Sequence, residues 1–207
     1  LALDLSSGGQ VARAADPVFP SSAGDVAVAT VARGLVHPWS LAFLPDGRML
    51  VTERPGRLRI VTRDGTLSPP AEGLPPVFAR GQGGLLDVTL SPRFESDRTL
   101  YWSYSEPRDG GNGTSVARGV LAPDRRSLQS VRVIFRAMPT YDGGLHFGSR
   151  LLFGPDGMLY VTLGERSDSG MRPQAQKLDN HMGKTLRIRT DGTPAPGNPF
   201  VGRQGYR

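Results

Sequence analysis

The chain has 207 residues, 25 Lys and Arg against 19 Asp and Glu, a net charge of +6, and no cysteine. Its 27 glycines and 18 prolines are more than helices tolerate, which excludes a helical bundle or coiled coil, and the missing cysteines exclude disulfides, thiolate metal sites and a thiol nucleophile. No apolar run approaches the roughly 18 residues of a membrane span. Only Lys177 and Lys184 are lysines, and the arginines are scattered without an interleaved aromatic ladder, so the cations read as a solvated surface rather than a nucleic-acid footprint.

Residues 1–24 carry no strand pattern. They are expected to be either a signal-peptide remnant, with Ala12-Arg13-Ala14-Ala15 as a small-x-small cleavage site, or a disordered tail. Pro17, Pro20 and Ser21-Ser22 mark a linker ending near Asp25, and one domain is expected over 25–207. From Val26 onward the signals are short strands and tight turns. Asp-Gly pairs at 46–47, 64–65, 109–110, 142–143, 156–157 and 191–192 favour the positive backbone angles of hairpin turns, and several are flanked by alternating or β-branched apolar residues. One helical turn is expected around Pro173–Leu178. The chain reads as all-β.

The strand–turn–strand segment from Trp39 to Arg54 recurs from Arg150 to Arg166, with a looser copy from Leu85 to Tyr104. A second element, Gly56 to Ile60 followed by Asp64-Gly65-Thr66, recurs as Gly183 to Ile188 followed by Asp191-Gly192-Thr193. Each unit then holds about four strands, the size of a propeller blade, whereas a two-sheet sandwich requires no repeat. About three blades fit in the chain, and a fourth unit is expected to begin near Asn198-Pro199-Phe200. Three blades do not close a ring, so the chain is expected to be part of a longer protein.

The three histidines, His37, His146 and His181, form no metal-binding pair. His37 is expected to shape the entry to the first strand and His181 to sit in a turn. His146 lies in Asp142-Gly-Gly-Leu-His-Phe-Gly-Ser-Arg150, just before an expected inner strand, and such inter-blade segments face the channel of a propeller. A neutral imidazole there suits a general base near pH 7, and the residues alone leave the catalytic and the structural roles both open. Gln82, in Gly81-Gln-Gly-Gly-Leu-Leu, occupies a similar setting one unit earlier, where its amide can orient a carbonyl or simply fill a turn. Arg166 offers a planar donor fork for a carboxylate, or a salt bridge with Glu165.

Gly81-Gln-Gly-Gly-Leu-Leu86, Leu145-His-Phe-Gly-Ser-Arg-Leu151, Leu163-Gly-Glu-Arg166, Gln176-Lys-Leu-Asp-Asn-His-Met-Gly-Lys184 and Asn198-Pro-Phe200 occur in the order of the pyrroloquinoline quinone (PQQ)-dependent soluble aldose sugar dehydrogenases, which are glucose/sorbosone dehydrogenase-like. From about Gly34 to Arg207 the chain resembles the N-terminal half of that family. The resemblance implies a six-bladed β-propeller, periplasmic or secreted, that oxidises the C1 hydroxyl of aldose sugars with hydride transfer to PQQ and passes the electrons to a redox acceptor. It implies His146 as the catalytic base, with Gln82 and Arg166 as cofactor-binding residues. Leu145 stands where the glucose-oxidising subgroup has an acid immediately before the histidine. Calcium is implied for the full-length protein, with its ligands after residue 207, and this half alone is expected to be inactive. The alternative is a non-catalytic propeller of the same fold that binds sugar or protein partners.

Overall fold

A computed structural model describes residues 17–200. Residues 1–16 of the expected signal remnant or tail lie outside these residues, as do residues 201–207 of the expected fourth unit. In the segment read as a linker, β1 (Val18–Phe19) and β2 (Val26–Ala27) instead pair as a small exposed hairpin around a turn in which Gly24 donates to the Ser21 carbonyl at 3.2 Å. Pro17 and Pro20 flank β1 without interrupting it, because Val28 takes the Pro17 carbonyl at 3.0 Å and a proline still accepts.

Three antiparallel sheets follow. The first holds β3 (Pro38–Phe43), β4 (Met49–Glu53) and β5 (Arg57–Val61). The second holds β6 (Leu85–Leu90), β7 (Thr99–Arg108), β8 (Gly111–Leu121) and β9 (Leu128–Arg136). The third holds β10 (Gly148–Phe153), β11 (Leu159–Leu163) and β12 (Thr185–Ile188). Asp-Gly turns follow the strands at 46–47, 64–65, 109–110, 156–157 and 191–192, each with its glycine at positive φ. The sixth pair, Asp142-Gly143, lies in the long connection from β9 to β10.

The first and third sheets have three strands rather than the expected four. Residues 66–71 do run along β5, with Ser68 donating to Ile60 and Ala71 to Leu58, each at 2.8 Å. Pro69 and Pro70 lie between those donors and have no N–H, so the ladder is reduced to the single bridge Val61–Leu67. Pro194 and Pro196 have the same effect beside β12. The expected helical turn is a 3-10 turn at Arg172–Gln176. A second turn, α1 (Phe94–Asp97), was not expected; it buries Phe94 and ends at Arg98 with φ +51°.

The middle sheet is apolar on both faces, as period-2 alternation allows. Leu100, Trp102 and Tyr104 of β7 pack with Leu50, Leu58 and Ile60 of the first sheet. Tyr101, with Val116 of β8, packs with Leu151, Leu159 and Val161 of the third. The sheets therefore stack face to face in sequence order, with β6 beside both β3 and β10. These are three blades of a β-propeller, and their first strands lie innermost.

Each inner strand carries a register shift at the same place: between Pro38 and Ser40, Leu85 and Val88, and Gly148 and Leu151. A bulge of this kind strands one N–H outside the ladder. A hydroxyl on the second strand takes it each time: Ser40 N–H reaches Thr52 Oγ1 at 3.1 Å, Asp87 N–H reaches Ser103 Oγ at 3.0 Å, and Arg150 N–H reaches Thr162 Oγ1 at 3.0 Å. The hydroxyl then donates to the next blade, Thr52 to the Leu86 carbonyl at 2.6 Å and Ser103 to the Ser149 carbonyl at 2.7 Å. One side chain thus repairs the bulge and sets the seam between blades.

Candidate active site

At the ends of the inner strands lies a pocket of about 310 Å³ lined by Trp39, Arg54, Gln82, Leu86, His146, Phe147 and Gly148. Trp39, Leu86 and Gly148 come from β3, β6 and β10, so the pocket lies where the three blades converge. Both glycine-rich segments singled out in the sequence reach it.

His146 occupies the left-handed region at φ +51°, a costly setting for a non-glycine residue. Three contacts hold it there. Its N–H donates to Gln82 Oε1 at 2.8 Å, its carbonyl accepts Arg166 N–H at 3.3 Å, and its ring Nδ1 bonds Glu165 Oε2. The carboxylate can only accept, so in the neutral ring Nδ1 is the donor and Nε2 carries the lone pair. Glu165 is further held by Ser167 N–H on Oε1 at 3.1 Å. Burial raises its pKa, but the hydrogen bonds from backbone N–H groups and from His146 outweigh burial, so the carboxyl is held below its ordinary range.

Gln82 sits on the opposing loop. Its N–H donates to the Gly144 carbonyl at 2.7 Å while its side-chain oxygen takes His146 N–H, so the two loops are stitched together at two points. Backbone lies directly against backbone here: a Cβ on Gly81 would fall 2.3 Å from the Gly144 carbonyl oxygen, and one on Gly164 would fall 2.0 Å from that of His146. Only glycine fits either position. The Gln82 amide nitrogen has no partner among the described residues.

Arg166 is placed differently from a fork offered to a ligand. It is 2% exposed, and its guanidinium donates to the Leu145 carbonyl at 2.9 Å, to Asn112 Oδ1 at 2.7 Å and to the Gly143 carbonyl, with its face 4.1 Å from the Phe147 ring centroid. Burial lowers its pKa to about 10, which leaves it charged at neutral pH. It braces the His146 loop from behind, and Glu165, read as its possible salt-bridge partner, pairs with His146 instead.

The other histidines stand apart. The His37 carbonyl accepts Arg54 N–H at 3.0 Å at the entry to β3. His181 exchanges two hydrogen bonds with Met138, N–H to carbonyl and backbone N–H to ring Nδ1, each at 2.9 Å; burial lowers its pKa.

Three features were not anticipated. Glu165 joins His146 across 19 residues. Arg54 lines the pocket from the end of β4. Asp87, on β6, accepts Ser40 Oγ, Arg150 Nη1 at 2.9 Å and Leu151 N–H at 2.7 Å, tying all three inner strands together beneath the pocket, while Arg150 stacks on Trp39 at 5.1 Å. Among the described residues no three His, Cys, Asp or Glu side chains gather as a metal site, and no helix is long and apolar enough to cross a membrane; the expected calcium ligands lie outside them.

Residues 35–207 match the Glucose / Sorbosone dehydrogenase family. The chain is 46% identical over 175 residues to the aldose sugar dehydrogenase YliI of Escherichia coli, covering 84% of this chain and 46% of that protein. A solved glucose dehydrogenase superposes with a TM-score of 0.82 at 46% identity, covering 86% of this chain and 51% of that one. The PQQ-bound form of an aldose sugar dehydrogenase from Streptomyces coelicolor gives a TM-score of 0.71 at 36% identity, covering 84% of this chain and 51% of that one. The chain thus spans about half the length of the relatives it matches. Over that half, both sequence and fold agree, and the chain belongs to the glucose / sorbosone dehydrogenase family.

Proposed function

We propose that the protein oxidises aldose sugars, or related alcohols, at the anomeric hydroxyl in a PQQ-dependent reaction, with His146 as general base. The observation that carries this reading is the imidazole whose Nδ1 is fixed by Glu165 and whose backbone is fixed by Gln82, beside a pocket walled by Trp39, Leu86 and Phe147. The donor set suits PQQ, a planar aromatic tricarboxylate: flat apolar walls, a free amide donor at Gln82, and a guanidinium at Arg54. Trp39, Phe147 and Gln82 would hold it from this half. When bound, PQQ supplies a two-electron acceptor for the hydrogen on C1 of the sugar.

The chain's own residues handle the proton. His146 Nε2 accepts it from the C1 hydroxyl as the C1–O bond gains carbonyl character, giving a lactone from a cyclic aldose. Glu165 keeps Nδ1 protonated and balances the imidazolium that forms. Arg166 positions the loop without touching the reacting atoms. The same reading has the protein exported, with a separate redox partner taking up the electrons.

The test is steady-state kinetics of the complete protein with an aldose and a dye acceptor, beside a PQQ titration. His146→Gln is expected to reduce turnover about 10²–10⁴-fold, the usual range for a general base, with PQQ affinity changed only a few-fold. Gln82→Glu keeps an acceptor for His146 N–H but loses the amide donor, so PQQ affinity should fall more than turnover at saturation. Near-normal turnover in His146→Gln would overturn the reading in favour of a non-catalytic binding propeller.

A further inference from the structure

We infer that Arg54 recognises a carboxylate on the molecule bound against His146; this rests on the reading of the pocket as the active site. Arg54 follows the last residue of β4 and is the only Lys or Arg among the pocket-lining residues, none of which is acidic. Its guanidinium makes one hydrogen bond among the described residues, from Nη1 to the Gly81 carbonyl at 2.6 Å. Among the described residues its Nε is buried without a partner, and no acid pairs with it.

Neighbouring arginines are used differently. Arg57 and Arg59 both hold Glu53, Arg150 holds Asp87, and Arg166 is spent on main-chain carbonyls and Asn112. Arg54 alone brings an uncompensated charge to the pocket wall, half-buried and under-bonded by the protein itself. Removing such a group from water costs free energy unless a partner takes its donors. A guanidinium presents a planar donor fork matched to a carboxylate. The Gly81 bond also places that charge beside Gln82, whose own oxygen holds His146, so the cation, the free amide and the base lie in succession along one wall.

A carboxylate could arrive on PQQ or on an acidic sugar such as a uronate, and the experiment separates the two. In the complete protein, PQQ binding is titrated by tryptophan fluorescence, glucuronate binding is measured by calorimetry, and kcat/KM is compared for glucuronate and glucose, in wild type, Arg54→Gln and Arg54→Lys. A charge-assisted fork predicts a 10–100-fold loss in Arg54→Gln. Loss confined to PQQ affinity assigns the cofactor carboxylate; loss of glucuronate binding, with a fall in the glucuronate-to-glucose ratio, assigns the substrate. Arg54→Lys keeps the charge and a donor for Gly81, so it should recover part of either loss and keeps the test open where the Gln variant folds poorly. Changes within twofold in all arms, or losses that merely track a lower melting temperature, would overturn the proposal and leave Arg54 as a brace for the Gly81 loop. These binding arms do not depend on turnover, so failure of His146 as base would leave them interpretable.

Discussion

Replacing Asp87 tests how the blades are held together. The carboxylate is 2% exposed and serves Ser40 of the first blade and both Arg150 and Leu151 of the third. In Asp87→Ala the buried Leu151 N–H loses its acceptor, the Val88 N–H loses its 3.0 Å bond to the same carboxylate, and the Ser40 hydroxyl loses its partner. At about 1–3 kcal/mol for each unsatisfied group, plus a small contribution from Arg150, the expected loss is about 3–5 kcal/mol, a large share of a domain's stability. Asp87→Asn retains an acceptor for Leu151 and should cost only about 1–2 kcal/mol. Arg150→Ala should cost about 1 kcal/mol or less, because its side chain is 61% exposed and rehydrates when freed. Urea unfolding followed by tryptophan fluorescence gives all three values. If Arg150→Ala proved as damaging as Asp87→Ala, the ion pair rather than the neutral donors would carry the seam, and the reasoning would be wrong.

Two further predictions concern carboxylates. Glu165→Gln should lower kcat about 10–100-fold with little change in KM, since it weakens a charged hydrogen bond to the His146 ring; a rise in KM at constant kcat would instead place Glu165 in substrate binding. Glu106 accepts Arg108 at 2.9 Å, Arg136 at 2.8 Å and Ser115 at 2.7 Å. Burial alone would raise its pKa, but these donors bring it from 4.5 to about 2. The folded value lies below the unfolded one, so this stability is complete above about pH 5 and drains away as the pH falls toward 2. It amounts to at most roughly 3 kcal/mol, less whatever solvent screening at Arg136 removes. Unfolding midpoints at pH 7, 5 and 3 should fall more steeply for wild type than for Glu106→Gln, and parallel slopes would refute the assignment.

Much of the blade pattern was legible because its signals are local. Gly47, Gly65, Gly110, Gly157 and Gly192 mark turns whose chemistry is contained in two residues. His146 and Gln82 could be singled out for a similar reason, as polar residues among glycines ahead of apolar strands. The structure brings them together through a backbone-to-side-chain bond that no spacing reveals. Arg166 looked like an available fork, because burial cannot be read from a residue's type; the carbonyls that absorb its donors come from a loop more than 20 residues away. Glu165 reads as a partner of its sequence neighbour, whereas both residues lie beyond β11 and the left-handed backbone at Arg166, φ +74°, accompanies side chains that go to different partners. The shortened outer strands follow from prolines visible in the sequence, but only their pairing partners reveal which ladder bonds are lost. Helix α1 is a single turn, too short to express a period.

The hydroxyls that cross the blade seams bear on heat inactivation. Thr52 anchors Leu86, four residues after Gln82, and Ser103 anchors Ser149, three residues after His146. His146 and the Gln82 amide that fixes it are therefore mounted on separate sheets, and their alignment is inherited from two small polar fasteners rather than from either apolar core. Thermal opening of one seam by a fraction of an ångström would misalign the pair while every sheet kept its own ladder, because local openings draw on far less free energy than global unfolding. Catalytic competence should consequently fade over a temperature range in which the strands, and any spectroscopic measure of them, still look native.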